Sequence, residues 1–326
     1  MDQHKTILVS WFIIFKNYEK SSKISIFGLI DKRANEGIIT DMKIFISGAN
    51  GALGLEMQSL LRQENIKFLA TDINQLDITD FRKTKEALFN YRPEVICHFA
   101  AISDVDFCEK NPGLAHRTNA LSTLGLAIIA KELGAKLVYI STNFVFDGKS
   151  EKPYIEYSPT SPINEYGRTK LLGEGYVKDI SDRFFIVRTS WLFGKSAKTF
   201  LSKFLAADNK PNSIDVICDQ FASFTYVVDL AGALLSLMRS ENYGIFHIVN
   251  NGVGSWLDFA LEAKELLKFK TEIKAVKTEE LGLAAPRPRF TPLESRHYEF
   301  LFNRSMCNWQ EALTHFVKSI SKKKSA

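Results

Sequence analysis

The fold follows from the stretch MKIFISGANGALG, residues 42–54. Its first six residues, MKIFIS, are typical of a strand buried on both faces. Gly48, Gly51 and Gly54 then interrupt the chain where that strand would be followed by a helix. Glycines at such a turn let the backbone approach a pyrophosphate, whose charge is favoured at a helix N-terminus. The motif therefore predicts a dinucleotide-binding turn, with an ordinary tight turn as the alternative.

The strand before these glycines is the first of a series. Further apolar runs, separated by stretches with helical spacing, are IKFLAT (66–71), EVICHFA (94–100), KLVYIS (136–141) and FFIVRTS (184–190). One of the intervening helices is expected to run from Pro112 to Gly134. Strands that alternate with helices form a parallel sheet covered on both sides. The sequence predicts an α/β fold with a doubly wound parallel (Rossmann) sheet, and a dinucleotide-binding domain over residues 42–190.

Beyond residue 190 the alternation is less regular. Residues 191–326 are predicted to form a smaller C-terminal lobe that mainly binds substrate, with a strand near 244–250 returning to the first sheet. Residues 1–41 contain the apolar run ILVSWFIIF (7–15), which is too short for a membrane helix and has no cleavage site close behind it. We expect this N-terminal extension not to belong to the native protein, with Met42 as the true start. An anchor or a regulatory arm is the alternative.

The composition argues against several classes of protein. The chain has 326 residues, of which 45% are hydrophobic and 24% charged, and part of its net charge of +5 lies in Lys322–Lys324. Cations are not clustered among aromatic residues, so neither a nucleic-acid partner nor a membrane is expected. The four cysteines form no C-x-x-C pair and no metal-ligand pattern with the six histidines. The sequence therefore predicts a cytoplasmic protein with reduced thiols and no metal site.

Asp72 ends the second predicted strand. A carboxylate at this position can hydrogen-bond a ribose 2′-hydroxyl, whereas a 2′-phosphate would meet its negative charge at close range. Of the two candidate cofactors, NADH and NADPH, this arrangement favours NADH. In the alternative interpretation, Asp72 caps the turn at Asn74.

Tyr166 and Lys170 are four residues apart on a predicted helix, so their side chains share one helix face. Thr142 precedes them, just after an apolar run. Hydride delivery to a carbonyl carbon builds negative charge on the oxygen, where a proton must then arrive. A nearby ammonium is expected to lower the pKa of the Tyr166 phenol, and Thr142 can donate a hydrogen bond to the same oxygen. These three residues are the predicted catalytic group, with solvated helix-surface side chains as the alternative.

The chain resembles the extended short-chain dehydrogenase/reductase family in the segments VYISTNFVFDG (138–148), EKPYIEYSPTSPINEYGRTKLLGE (151–174) and RTSWLFG (188–194). The likeness extends from Met42 to about Leu293. It implies a catalytic triad of Thr142, Tyr166 and Lys170. Beside Gly48, Asn50, Gly51, Ala52, Leu53, Gly54 and Asp72, the cofactor contacts that it implies are Asp77, Ile78, Ala100, Ala101, Asn119, Tyr166 and Lys170, and the substrate contacts are Asn143, Phe144, Trp191 and Arg287.

Two departures from the family pattern fall on the substrate side. The family usually has Asp-Tyr after the catalytic Thr, where this chain has Asn143 and Phe144. The segment Asp219–Thr225 likewise lacks the Gly and Pro that the family places there. Both departures leave the cofactor side whole, so we expect the redox chemistry to be kept even if the sugar differs from that of the family.

The resemblance implies NAD(P)H-dependent reduction of the C4 keto group of a nucleotide-linked 4-keto-6-deoxyhexose. The expected substrate is dTDP-4-dehydrorhamnose, with dTDP-L-rhamnose as product. A nucleotide-sugar epimerase of the same fold is one alternative, and a non-catalytic regulatory subunit like that of methionine adenosyltransferase is another. The resemblance also implies a homodimer.

Overall fold

The computed structural model describes residues 42–195 and 213–321, which belong to one compact unit. The expectations about residues 1–41 and about Lys322–Lys324 fall outside the described residues, as does the segment 196–212. Across the two described ranges, none of the helices combines the length and the apolar character that a membrane crossing requires.

The strands are β1 (Lys43–Ser47), β2 (Lys67–Thr71), β3 (Val95–His98), β4 (Lys136–Thr142), β5 (Phe184–Thr189), β6 (Leu192–Phe193), β7 (Ile214–Ile217), β8 (Phe221–Ala222), β9 (Thr225–Tyr226), β10 (Gly244–His247), β11 (Gly254–Ser255), β12 (Ile273–Val276) and β13 (Phe290–Thr291). The helices are α1 (Ala52–Gln63), α2 (Phe81–Tyr91), α3 (Val105–Lys110), α4 (Pro112–His116), α5 (Ser122–Leu133), α6 (Glu165–Ile180), α7 (Val227–Met238), α8 (Trp256–Leu267), α9 (Arg296–Phe302) and α10 (Trp309–Ser321).

Six parallel strands form the main sheet, in the order β10-β5-β4-β3-β1-β2. The chain first adds β2 on one side of β1 and then crosses to place β3 on the other side. The strand order therefore reverses between β1 and β3. At such a switch point the loops that follow the two strands separate and leave a crevice for a ligand. The prediction of a doubly wound parallel sheet is confirmed.

Alternate residues of the central strands pack against helices on opposite faces of the sheet. On one face Phe45 and Ile186 join a buried cluster with Leu88 of α2, Leu126 of α5 and Val177 of α6. On the other face α1 packs against α7, and the Cys97 thiol contacts the Met238 sulfur at 3.4 Å. Because both faces are covered, the strands read as continuous apolar runs in the sequence.

The helix expected from Pro112 to Gly134 is not continuous. Residues Arg117–Leu121 form a π-helical turn between α4 and α5. The hydroxyls of Ser122 and Thr123 donate to the carbonyls of Thr118 and Asn119, at 2.5 and 2.8 Å. Side-chain donors of this kind compete for the carbonyls that a regular helix would use. The local widening brings Asn119 to a buried position facing α6.

Three small sheets lie beyond β5: β11-β8-β13, β12-β7 and β6-β9. They surround a second core of aromatic residues, among them Phe193, Phe224, Phe259, Trp309 and Phe316. Strand β10, which comes later in the chain than β6 to β9, pairs with β5 in the main sheet. The division of the chain into domains at residue 190 stays a prediction.

Candidate active site

The glycine turn after β1 is held at the switch point by close backbone contacts. Gly48 has a φ of 74°, and a Cβ on it would lie 2.6 Å from the Ala100 nitrogen. A Cβ on Gly54 would collide with the carbonyl oxygen of Gly48. Both positions therefore require glycine. A side chain on Gly48 would force apart the loops that follow β1 and β3, and one on Gly54 would push α1 away from the turn.

The turn presents the N-terminus of α1 to the crevice. Gly51 is the N-cap residue, no side chain caps the helix, and the first turn carries no acidic residue. The first N–H groups of a helix have no partner within the helix and attract negative charge. This end of α1 is therefore suited to hold a phosphate.

A cleft of about 790 Å³ opens over the turn. Of the residues that the sequence predicted for the site, those lining it are Gly48, Asn50, Gly51, Ala52, Leu53, Gly54, Ala101, Thr142, Asn143, Phe144, Tyr166, Lys170, Trp191 and Arg287. They come from the ends of β1, β3, β4 and β5, from the first turns of α6, and from the segment before β13. The cleft thus joins the predicted cofactor turn to the predicted catalytic residues.

Asp72 does not line this cleft but supports the turn from behind. One of its carboxylate oxygens accepts from the Asn50 nitrogen at 2.9 Å, and the other from the Ile73 nitrogen at 2.9 Å. Its backbone carbonyl accepts from the nitrogens of Gln75 and Leu76. The carboxylate therefore holds local backbone in place and also carries negative charge beside Asn50.

Asp77 and Ile78 lie beyond this carboxylate, away from the cleft lining. The Asp77 carboxylate is exposed and accepts from the Thr79 nitrogen at 2.9 Å, while Ile78 is buried. A direct contact with adenine by these two residues stays a prediction.

Ala100 and Asn119 support the cleft from its β3 side. Ala100 donates its N–H to the Ser47 hydroxyl at 3.5 Å. The buried Asn119 amide accepts from the Ile102 nitrogen at 2.8 Å and donates to the Ile102 carbonyl at 3.0 Å. It also donates to the Thr169 hydroxyl of α6 at 3.2 Å. Asn119 therefore ties the loop after β3 to the helix that carries Tyr166 and Lys170.

Helix α6 places Tyr166 and Lys170 on one face, as their spacing predicted. The Asn164 side chain caps the helix by accepting from the Gly167 nitrogen at 2.9 Å. Tyr166 is half-buried in the first turn, and Lys170 follows in the second turn with 3% of its surface exposed. The Lys170 ammonium lies 4.1 Å from the centre of the Tyr139 ring on β4.

The two side chains have shifted pKa values. Removal from water raises the pKa of Tyr166 to about 12, against a smaller lowering effect of its hydrogen bond with Thr142. Burial lowers the pKa of Lys170 to about 7, opposed by the negative charge of Glu174. The expected lowering of the Tyr166 pKa by Lys170 is not found, because desolvation sets the direction of the shift and Lys170 is not among its causes.

Thr142 ends β4 and lines the cleft. This hydroxyl donates to Oδ1 of Asn143 at 3.2 Å and accepts from the Phe144 nitrogen at 3.2 Å. The ring of Phe144 meets the ring of Tyr166 edge-on, with centroids 5.9 Å apart. The predicted substrate residues Asn143 and Phe144 therefore also pack against the catalytic group.

Trp191 and Arg287 form the far side of the cleft. Trp191 has a φ of 40°, in the left-handed region, and its ring stacks on Trp256 with centroids 4.1 Å apart. A bulky residue in this conformation is held there by its surroundings at some cost. The Arg287 guanidinium pairs with the Asp106 carboxylate at 2.8 Å, which leaves part of the guanidinium facing the cleft.

Several lining residues had no signal in the sequence. Trp256, Ser103 and Val105 line the cleft without belonging to a recognised motif, and Gln220 lines it from within the segment Asp219–Thr225. Asp106 holds residues 285–287 in place by accepting from both Arg287 and the Ala285 nitrogen, although it lies far from them in the chain. Within the described ranges, no group of three or more His, Cys, Asp or Glu side chains is arranged to bind a metal ion.

The switch-point turn and the group of Thr142, Tyr166 and Lys170 around one cleft define an extended short-chain dehydrogenase/reductase. Within that class, the chain belongs to the family described as RmlD substrate binding domain, whose model matches residues 42–322. The family resemblance inferred from the sequence is confirmed.

Named relatives are similar over nearly their full length. Spore coat polysaccharide biosynthesis protein SpsK of Bacillus subtilis (strain 168) is 34% identical, over 86% of this chain and 98% of that protein. The dTDP-4-keto-6-deoxy-D-glucose reductase of Streptomyces niveus is 34% identical, over 82% of this chain and 94% of that protein. A crystal structure of dTDP-4-dehydrorhamnose reductase from Bacillus anthracis str. Ames, in complex with NADP, has a TM-score of 0.83 and 36% identity, covering 86% of this chain and 99% of that chain.

Proposed function

We propose that the chain reduces the C4 keto group of a nucleotide-linked 4-keto-6-deoxyhexose with a nicotinamide dinucleotide as the hydride donor. The expected substrate is dTDP-4-dehydrorhamnose and the product dTDP-L-rhamnose, a precursor of cell-surface polysaccharide. Two of the relatives are named as reductases of dTDP-linked keto sugars. A third is named for spore coat polysaccharide biosynthesis, which fits the same chemistry.

The observation that carries the proposal is that Thr142, Tyr166 and Lys170 share one cleft with the glycine turn. Ketone reduction requires a proton donor and a second hydrogen-bond donor near the carbonyl oxygen, and these must lie next to the hydride donor. The lack of space for a Cβ on Gly48 and the acid-free first turn of α1 fit a dinucleotide pyrophosphate. The cleft therefore brings together a site for the hydride donor, a proton donor and a second hydrogen-bond donor.

When bound, the cofactor supplies the hydride that reduces C4. Tyr166 is protonated at neutral pH because its pKa is raised to about 12, so it keeps its proton until negative charge develops on the substrate oxygen. It then donates that proton, while Thr142 donates a hydrogen bond to the same oxygen. Lys170, whose pKa of about 7 lets it exchange protons near neutral pH, can return a proton to the phenol and bind the cofactor ribose.

We place NADH ahead of NADPH as the cofactor. The Asp72 carboxylate lies beside the Asn50 nitrogen, where a 2′-phosphate would meet its charge. The Bacillus anthracis relative is in complex with NADP, so NADPH is the competitor to test. Dissociation constants of the two reduced cofactors should favour NADH, and Asp72→Asn should narrow the difference. Tighter binding of NADPH by the wild type would contradict this preference.

The proposal also includes a homodimer in the cytoplasm. All four cysteines are free thiols, and Cys97 and Cys108 are buried, as suits a reducing compartment. Light scattering should give twice the chain mass of 36.9 kDa. A single-chain mass at micromolar concentration would remove the dimer from the proposal.

The direct test is oxidation of NADH or NADPH on addition of dTDP-4-dehydrorhamnose. Tyr166→Phe keeps the ring but removes the proton donor, so turnover should fall by about 10²-fold or more. Tyr157→Phe is the matched control, because Tyr157 is 80% exposed and packs on His297. Its turnover should equal that of the wild type.

The other outcomes separate the alternatives. Turnover of Tyr166→Phe close to that of the wild type would refute the assigned proton donor. Tight cofactor binding without reduction of any keto sugar would favour a regulatory subunit. Interconversion of two sugar isomers without net cofactor oxidation would favour an epimerase.

A further inference from the structure

The Asn143 side chain connects two parts of the cleft that are far apart in the chain. Its Oδ1 accepts from the Thr142 hydroxyl at 3.2 Å, and its Nδ2 donates to the Thr291 hydroxyl on β13 at 2.7 Å. Only 2% of Asn143 is exposed, so both hydrogen bonds are shielded from water. The amide therefore forms a bridge from the end of β4 to β13.

This bridge determines the direction of the Thr142 hydroxyl. A hydroxyl has one proton to donate. While the Tyr166 phenol is protonated, this proton goes to Oδ1 of Asn143 and the oxygen accepts from the Phe144 nitrogen, and only a Tyr166 phenolate would compete for it. The same proton is the one that Thr142 would give to a substrate oxygen. Oδ1 of Asn143 therefore accepts the hydrogen bond of the Thr142 hydroxyl until a substrate oxygen replaces it as the acceptor.

Thr291 fixes the amide on its other side. Strand β13 pairs with β8, and the Thr291 side chain is 1% exposed, so the acceptor of Nδ2 has little freedom to move. The amide accepts from one hydroxyl and donates to the other without carrying a charge. An ionised carboxylate could join the same two residues only if the Thr291 hydroxyl turned round to donate, and it would add a negative charge.

We propose that Asn143 is a positioning residue that holds the Thr142 hydroxyl by a neutral hydrogen-bonded bridge to Thr291, and releases it to the substrate carbonyl. The inference rests on the proposed ketone reduction. Asn143 is also one of the substrate contacts that the family resemblance implies, and the bridge gives it a second role. The amide stands where the family usually has a carboxylate, so in this chain the bridge adds no negative charge beside the Tyr166 phenol and competes only weakly for the Thr142 proton.

A double-mutant cycle tests the bridge by its effect on turnover. Asn143→Ala should lower kcat by about 10- to 100-fold with a smaller change in KM, because the donor is no longer positioned. In a Thr142→Val background the same change should have little further effect on kcat, since no hydroxyl remains to be held. Multiplicative, independent effects would overturn the inference. Thr291→Val, which removes only the anchor, should lower kcat less than Asn143→Ala.

The pH profile separates positioning from a structural role. In Asn143→Asp, the ionised carboxylate holds the Thr142 proton more tightly and places its charge beside Tyr166 and Lys170, while the Thr291 hydroxyl has to turn round and donate. Protonation of that carboxyl restores one acceptor and one donor, so kcat of this variant should recover relative to the wild type as the pH falls. The control Asn242→Asp adds the same charge at an exposed position and should leave the profile unchanged. A pH profile of Asn143→Asp that is parallel to that of the wild type would contradict the inference.

A measurement that needs no turnover keeps the two proposals apart. Equilibrium unfolding of Thr142→Val, Asn143→Ala and the double variant should show coupling of about 5-fold in the unfolding constant, as a buried hydrogen bond predicts. Coupling without keto-sugar reduction by the wild type would refute the proposed function but keep the bridge. Reduction of the keto sugar by the wild type, with no coupling in kcat and none in the unfolding constant, would refute the bridge but keep the proposed function.

Discussion

The ammonium of Lys170 lies over the ring of Tyr139, 4.1 Å from its centre, and the Tyr139 hydroxyl donates to the Lys170 carbonyl at 3.1 Å. Tyr139 is fully buried on β4, three residues before Thr142. Tyr139 of β4 thus contacts Lys170 in two ways: its ring packs against the ammonium, and its hydroxyl donates to the backbone carbonyl. A cation held over an aromatic ring in a water-poor site gains electrostatic stabilisation, which partly offsets the cost of its burial.

Tyr139→Phe should separate the two contributions. The substitution keeps the ring beneath Lys170 but removes the hydroxyl that reaches the carbonyls of Lys170 and Asn119. We expect a loss of about 1–2 kcal/mol in the free energy of unfolding, because two buried acceptors lose a donor. Urea denaturation of the wild type and the variant measures this loss in the free energy of unfolding. An unchanged midpoint would show that these hydrogen bonds contribute little.

Lys170→Met should stabilise the protein in a pH-dependent way. Burial holds the pKa of Lys170 at about 7, below its unfolded value, so the folded state binds fewer protons than the unfolded state between these two pKa values. The wild type therefore gains stability as the pH rises from about 7 to about 10.5. Met carries no charge to bury, so the variant should be more stable by on the order of 3 kcal/mol at pH 6, with the gain shrinking towards pH 10.

Unfolding curves of the wild type and of Lys170→Met at several pH values check this slope. A stability difference that does not vary between pH 6 and pH 10 would mean that Lys170 is charged throughout. Activity should be lost in the variant at every pH, because the residue belongs to the predicted catalytic group.

Gly48→Ala should weaken both the fold and the cofactor site. The new Cβ would meet the backbone of Ala100 and occupy a left-handed conformation, so the free energy of unfolding should fall by about 2 kcal/mol or more. Cofactor affinity should fall with it, because the turn must widen. Gly232→Ala is the matched control, since Gly232 is exposed on α7 with nothing within 4 Å of its Cβ position. It should stabilise the protein by about 0.5–1 kcal/mol through helix propensity.

Glu174→Gln should be strongly destabilising. Glu174 is buried beneath the cleft, pairs with Arg188 at 2.7 Å and accepts from the Ser141 hydroxyl at 2.5 Å. Removing its charge leaves the buried Arg188 cation without the opposite charge that it pairs with, for which a loss of about 3–5 kcal/mol is typical. The exposed pair of Glu132 and Lys85 provides the comparison, and Glu132→Gln should cost less than about 1 kcal/mol. Similar losses in the two variants would contradict the role of burial.

The main sheet was predictable because its strands are buried on both faces. Runs such as EVICHFA and KLVYIS have a length and an apolar character that few other structures produce, and the helices between them fill the parallel crossovers. The small sheets beyond β5 were not predictable, since strands as short as Phe221–Ala222 have no periodicity to detect. The π-helical turn at Arg117–Leu121 depends on hydroxyl donors from the next turn, which a helical pattern does not reveal.

The site was predictable where its chemistry is local in sequence. The glycine spacing and the four-residue interval between Tyr166 and Lys170 each place side chains on one turn or one face. Contacts between distant segments gave no such signal. The pairing of Asp106 with Arg287 and the bridge from Asn143 to Thr291 appear only when the chain is folded. The direction of the Tyr166 pKa shift was missed because it depends on how much water the fold removes.

The position of β10 beside β5 has a consequence for biosynthesis. During translation, β5 leaves the ribosome well before Gly244–His247, so its outer edge has no neighbour while the residues between them are being made. An open edge of this kind can pair with another nascent chain. A protein truncated after residue 190 should therefore aggregate. Chaperone binding by nascent chains should decrease only once β10 has left the ribosome and can pair with β5.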